Sequence, residues 1–305
     1  MSRRTGKNRR TQQRQTTRWL ILGGVIVVGL AVGAWWLTSR NPTASGTPQP
    51  ISRLTTRDFH SLAFSPTEPE TVFFGHHGGL LVSRNGGGDW QTTSLQNADA
   101  MALAVPPSNP QIMYAAGHDV FFKSTDGGAS WQAVLTNLPG TDIHGFAVDP
   151  EDADRVFAHV VGFGIFGSAD GGVMWTRLWA DAPPSSFNLA VGNDAQMLYV
   201  AAGQAGLWRS QDGGQTWSPL TNMPGDGAVA VTFDRARGRL CVSTLGNQAG
   251  LYVSDDDGTT WTALGLKGTL LAVAVSPHDP QRLITVDEKG QVFASRDGGL
   301  TWPGH

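Results

Sequence analysis

An all-β, six-bladed propeller is the fold this sequence predicts, and three observations predict it. One eight-residue phrase is written six times, its closing tryptophans recur at a nearly constant interval, and the stretches between copies read as short strands. The phrase runs SRNGGGDW (83–90), STDGGASW (124–131), SADGGVMW (168–175), SQDGGQTW (210–217), SDDDGTTW (254–261) and SRDGGLTW (295–302), with successive tryptophans 41, 44, 42, 44 and 41 residues apart. A self-similar period of about 40 to 50 residues indicates a propeller or a solenoid, and a unit dominated by short strands selects the propeller.

The phrase itself is turn chemistry. Its Asp or Asn is suited to hydrogen-bonding the amides of a tight reversal, its glycines accept positive φ, and the Trp carries a large apolar surface back toward the adjoining sheet. Each unit reads as four antiparallel strands, A to D. In the first, A is 59–65, B is 71–76, C is 80–84 and D is 90–95, and the same template recurs five times. Small residues in strand A suit the crowded innermost position. The sixth unit ends three residues after Trp302, too soon for a full fourth strand. Residues 51–56 (ISRLTT) stand before the first strand A as outer-strand segments stand before the others, so they are expected to supply the outer strand of the last blade and remove an open edge. Alternation of chain direction places the A–B loops and the phrases on one face, and the D–A and B–C loops on the other.

The N-terminus is a different material. Residues 1–18 hold seven basic groups and no acid, and they run into 19–37, nineteen uncharged and mostly apolar residues. That length spans a bilayer as a helix, and a basic flank belongs on the cytoplasmic side. The expectation is one N-terminal transmembrane helix acting as a signal anchor, a Pro/Ser/Thr linker at 38–50, and the propeller at 51–305 in an extracytoplasmic position on the cell membrane. A cleaved signal peptide is the alternative, with Val32-Gly33-Ala34 as its processing site. Beyond Arg40 the chain holds 14 basic against 25 acidic residues, about −11, a poor surface for nucleic acid. The single cysteine, Cys241, excludes an intrachain disulfide.

The phrase follows the pattern Ser-x-Asp-x-Gly-x-Thr-Trp and so resembles the BNR, or Asp-box, repeat, over residues 51–305. The departures are Asn85 for the first Asp, Asp89 and Met174 for the Thr, and Asp257 for a Gly that most other copies carry. The resemblance extends to sialidase-like, photosystem II assembly factor-like and sortilin-like propellers. The His-rich first blades are similar to a bacterial subgroup of BNR proteins.

A sialidase implied by that resemblance would need a tyrosine nucleophile with a glutamate, an aspartate acid/base and three arginines. The three tyrosines, Tyr114, Tyr199 and Tyr252, instead take repeat positions that are otherwise apolar, and Arg57 alone lies near the mouth opposite the boxes. The Asp-rich fifth box (Asp255, Asp256, Asp257) reads as turn capping rather than a Ca²⁺ site.

The histidines are patterned. His60 and His144 share one position in strand A, His77 and His118 align at the end of strand B with His76 beside the first, and His159 comes two residues earlier in its strand. Asp58, Asp99 and Asp142 stand two residues before the strand-A position, where Met101 replaces His in the second blade. Residues two apart on a strand point the same way, so Asp58 with His60, and Asp142 with His144, can face one site. Imidazole and carboxylate at one mouth are ligands for Zn²⁺, Cu²⁺ or Ni²⁺; His60, His77, His118, His144 and His159 are the metal candidates. The alternative is that these residues satisfy turn amides in copied repeats. The functional expectation is a non-catalytic binding or assembly scaffold, its partner a protein, glycan or metal at that mouth. The alternatives are a sialidase-like glycoside hydrolase and a transition-metal-binding propeller.

Overall fold

The computed structural model describes residues 47–304. The basic segment 1–18, the apolar stretch 19–37 and most of the linker lie outside the described residues. Among those described, no helix is long and apolar enough to cross a membrane.

Six four-stranded antiparallel sheets make the ring. In blade one the strands are Ser61–Phe64, Val72–His76, Gly79–Ser83 and Gln91–Gln96; in blade three they are Ile143–Val148, Val156–Val160, Gly164–Ser168 and Trp175–Trp179. Blades one to five hydrogen-bond in chain order. Blade six takes Leu270–Val275, Leu283–Asp287 and Gln291–Ser295 from the end of the chain, and its outermost strand is Ser52–Arg53 from the beginning. Ser52 pairs with Val292 and Arg53 with Gln291. Backbone bonds from Gln49 N–H to Trp302 O (2.9 Å), Ile51 N–H to Val292 O and Leu54 N–H to Gly290 O (both 2.8 Å) extend this seam. The two ends of the described chain therefore lock one another.

The core is a ring rather than a centre. The buried apolar residues fall into six clusters, one at each blade junction. Tyr114 and Phe121 of blade two meet Ile143, Phe146 and Trp175 of blade three, and Leu62 and Phe74 of blade one meet Ile284 and Val292 of blade six. A single blade cannot cover both of its faces, so each sheet depends on two neighbours.

The repeated phrase is one hydrogen-bonded cage in six copies. In STDGGASW, Ser124 Oγ donates to Asp126 Oδ1 (2.8 Å) and accepts from Gly128 N–H (2.9 Å). Asp126 in turn accepts from Ser130 N–H (2.8 Å) and Ser130 Oγ (2.6 Å). The Ser130 hydroxyl is the foremost reason that the Asp126 carboxyl is held down at about 2. The first copy explains its two departures together. Asn85 Nδ2–H donates to Asp89 Oδ2 (2.9 Å), so donor and acceptor have exchanged places and the contact survives. In the fifth copy Asp257 sits at φ 57°, where other copies carry glycine. Its carboxylate accepts from the Tyr199 hydroxyl and pairs with Arg209 of blade four. The other two acids of that copy are also engaged, Asp255 with Arg239 and Asp256 with Thr260.

The six box tryptophans are not equivalent. Trp175 and Trp302 are buried, whereas Trp131 is half-buried at the edge of its junction and its Nε1–H has no partner. Trp175 has Phe121 and Phe146 to cover it, with its Nε1–H bonded to Gly172 O at 2.7 Å.

Candidate functional site at the mouth opposite the boxes

Every strand A begins at this mouth, and the B–C turns fold over its rim. Three consecutive blades deliver carboxylates and imidazoles here in alternation. His60 Nε2 lies 3.6 Å from Asp58 Oδ1, and Asp58 Oδ2 lies 3.0 Å from His77 Nδ1. The other nitrogen of His77 is 3.9 Å from Asp99 Oδ2, which is 2.6 Å from His118 Nδ1. His118 Nε2 is 3.7 Å from Asp142 Oδ1, itself 3.0 Å from His144 Nε2. The result is a continuous arc of seven side chains, from His60 to His144, with adjacent rings 4.6, 5.3 and 5.3 Å apart between centroids.

Local structure places each member. Asp58 accepts from the His77 N–H (2.8 Å) and Asp99 from the His118 N–H (3.2 Å), so each acid fixes the B–C turn of its own blade and thereby its imidazole. Glycine at 117 is required for this approach, because a Cβ there would stand 2.7 Å from the Asp99 carboxyl. Only one neighbouring pair in the arc is a side-chain hydrogen bond, His118 Nδ1 with Asp99 Oδ2. Elsewhere the atoms are close but not aimed at one another. His60 Nε2, Asp99 Oδ1, Asp142 Oδ1 and His144 Nε2 are all buried without a hydrogen-bond partner.

Burial sets the charge state of the inner rings. It pushes His60 down to about 4, with the neighbouring His77 adding to the effect, and it lowers His144 in the same direction. Both imidazoles are neutral at neutral pH, with lone pairs free to accept or ligate.

Two of the histidines picked out by the sequence stand apart from the arc. His76 turns back, its Nδ1 accepting from Gly78 N–H (3.0 Å) and its ring stacking on Phe74. His159 is 1% exposed inside blade three with neither ring nitrogen partnered, and burial pushes it down to about 4.

Beside the arc lies a cavity of about 380 Å³ lined by Asp58, His60 and His144 together with Arg57, Phe59, Phe187, Asn188 and Glu288. His60, Met101, His144 and Asn188 also line a second cavity of about 400 Å³, whose other lining residues follow the innermost strands as far as Arg235. Phe187 is 46% exposed and lies near-parallel to His144 at 6.4 Å. Phe187 is not among the site residues expected from the sequence; its one signal there is a large aromatic at the crowded strand-A position that His60 and His144 hold in their own repeats. Glu288, also outside the expected site residues, reaches the cavity from the B–C turn of blade six. The cavity offers a flat apolar face, carboxylates and a single arginine. Tyr114 and Tyr199 are fully buried, their hydroxyls turned to Ala153 O and Asp257 toward the box side. They serve packing, not nucleophilic chemistry.

Comparison with known proteins sets this geometry in context. The BNR/Asp-box repeat family model matches residues 208–219. A Paenibacillus protein named xyloglucanase is 29% identical over 151 residues, covering 36% of this chain and 15% of that protein. Among solved structures, a GH74 enzyme from Niastella koreensis superposes with a TM-score of 0.62 at 20% identity, over 85% of this chain and 46% of that one. The GH74 xyloglucanase from Xanthomonas campestris gives 0.59 at 18%, over 84% and 46%. YCF48 bound to D1 peptide gives 0.52 at 17%, over 82% and 83%. The chain thus spans under half the length of the enzymes it matches, and at these identities the structural likenesses speak for the fold. The relative named xyloglucanase runs against the expectation of a non-catalytic scaffold, which is corrected on that finding. The sialidase residues that the sequence lacks bear on one hydrolase class alone, and loop acids can converge as a carboxylate pair of another kind. The chain is a six-bladed β-propeller built on BNR/Asp-box repeats.

Proposed function

We propose that the propeller acts on polysaccharide as a glycoside hydrolase, with the mouth cavity as the sugar site. The observation that carries this reading is the convergence of Asp58 and Glu288 on a cavity of about 380 Å³ that also presents the exposed ring of Phe187. The likeness to a protein named xyloglucanase supports it. Glycosidic bonds are broken by two carboxyl groups, one protonating the leaving oxygen and the other activating water or attacking the anomeric carbon. Asp58 and Glu288 are assigned those two tasks. Phe187 stacks on a sugar face and Asn188 hydrogen-bonds to hydroxyls. The single arginine in the lining, Arg57, gives no three-arginine clamp for a sugar carboxylate, which favours neutral glucan-type chains over sialosides. The N-terminal apolar stretch, read as an anchor, would hold the propeller outside the cytoplasm, where such polymers are met. The test is release of reducing ends from xyloglucan, other β-glucans and sialyl-lactose by the full chain. Release from a neutral glucan is expected, and no release from any of them overturns the proposal.

A further inference from the structure

The arc divides into three triads in which one ligand atom from each residue lies within 4.8 Å of the others: Asp58/His60/His77, His77/Asp99/His118 and His118/Asp142/His144. The two outer triads share no residue. The middle triad borrows His77 from one and His118 from the other. We propose that the arc binds two divalent transition-metal ions of the zinc and copper class, one in each outer triad, with Asp99 holding His118 between them.

The chemistry of the donors selects such ions. Each outer triad offers two imidazole nitrogens and one carboxylate oxygen, a set suited to Zn²⁺ or Cu²⁺ and short of the six to eight oxygens that Ca²⁺ takes. The packing supplies a second, independent reason. His144 Nε2 and Asp142 Oδ1 lie 3.0 Å apart, yet both are buried without a hydrogen-bond partner, and His60 Nε2 is in the same condition. Buried polar atoms are ordinarily satisfied, and lone pairs crowded together without facing one another are what a shared cation would satisfy. His118 Nδ1 bonded to Asp99 at 2.6 Å leaves its Nε2 directed to the Asp142 side, the carboxylate–imidazole arrangement that orients a ligating histidine. His77 and His118 are half-exposed on the rim, which gives an ion an entry path. Residues 1–46 contain no histidine, cysteine or acid, so that segment adds no competing side-chain ligand.

Asp58 belongs both to this site and to the proposed sugar site, and an ion held by Asp58 would withdraw it from acid–base work. The two readings are therefore told apart by their readouts, metal uptake for this one and sugar release by the chelator-stripped chain for the other. The full chain, prepared without a polyhistidine tag and stripped with chelator, is titrated calorimetrically with ZnCl₂ and with CuSO₄, and metal content is measured after dialysis. Two equivalents per chain are expected. His60→Ala and His144→Ala should each lose one equivalent, the double variant both, and Asp99→Asn should keep two with at least a several-fold weaker second site. Should an inner histidine variant fail to fold, the rim variants His77→Ala and His118→Ala, checked by circular dichroism, replace them and should each lose one equivalent. Uptake of fewer than two equivalents by the wild type, or the same uptake by wild type and histidine variants, overturns the proposal.

Discussion

Replacing Trp175 with Ala probes the junction-by-junction core most sharply. Its ring is 7% exposed and meets Phe121 and Phe146 of the cluster edge-on, at 6.0 and 6.5 Å between centroids. Truncation empties the space between blades two and three, at a cost of about 3 to 5 kcal/mol for a large aromatic in a core. It also leaves the Gly172 carbonyl without the indole N–H that satisfies it. For a domain of this size each kcal/mol moves the melting temperature by about 2 to 4 °C, so differential scanning calorimetry should show a drop of about 6 to 20 °C. Trp131→Ala is the internal control. That ring is half-buried with an unpartnered Nε1–H, and its truncation should cost less than half as much. Equal effects from the two, or a Trp175→Ala drop below about 2 °C, would refute the claim that burial at the junction, rather than membership of the motif, determines what a box tryptophan contributes.

Further outcomes follow from the same structure. Asn85→Asp sets two carboxylates against each other where Asn85 now donates to Asp89, so it should lower the melting temperature, and adding Asp89→Thr should restore it; no rescue would contradict the exchanged-partner account. A chain beginning at Phe59 lacks the Ser52–Arg53 strand and exposes the edge of blade six, so size-exclusion chromatography should show oligomers, and an equally stable monomer would refute the role of the seam. The pKa of His159 is about 4 when folded, below the roughly 6.5 of an unfolded imidazole. The stability it contributes as a neutral ring is therefore present above about pH 6.5 and lost as pH falls through about 4. His159→Leu should make the fall of melting temperature across that window shallower, and an unchanged slope would count against it. The loss carried by Asp126 and Asp212, both held down at about 2 mainly by side-chain hydroxyls, falls in a separate window, between about pH 4 and 2.

Much of this architecture was legible because a propeller repeats its own evidence. Six copies of one turn give blade number, strand order and register together, and Ile51 to Thr56 could be placed because an outer strand was missing at the other end. The alternation of Asp and His in three blades was legible for the same reason, since equivalent positions in adjacent blades lie side by side at one mouth. What the repeat could not carry was its exceptions. Trp131 and Trp175 hold the same place in the motif, and their burial differs because Phe121 and Phe146 cover only one of them. Asn85 and Asp89 looked like two separate departures because the bond joining them spans the turn. His76 and His77 are neighbours in sequence, but the strand end sends one back onto Phe74 and the other to Asp58. Glu288 and Phe187 come from blades without the histidine pattern, so only the closing of the ring brought them to the cavity.

The most direct test of the central claim is hydrolysis itself, measured on the full chain with xyloglucan and other neutral β-glucans by product chromatography. Wild type, Asp58→Asn and Glu288→Gln are compared at matched folding, confirmed by circular dichroism. The account predicts oligosaccharide release by the wild type and a loss on the order of 10²-fold or more in each variant. Full activity in both variants, or a wild type that releases nothing, would contradict it.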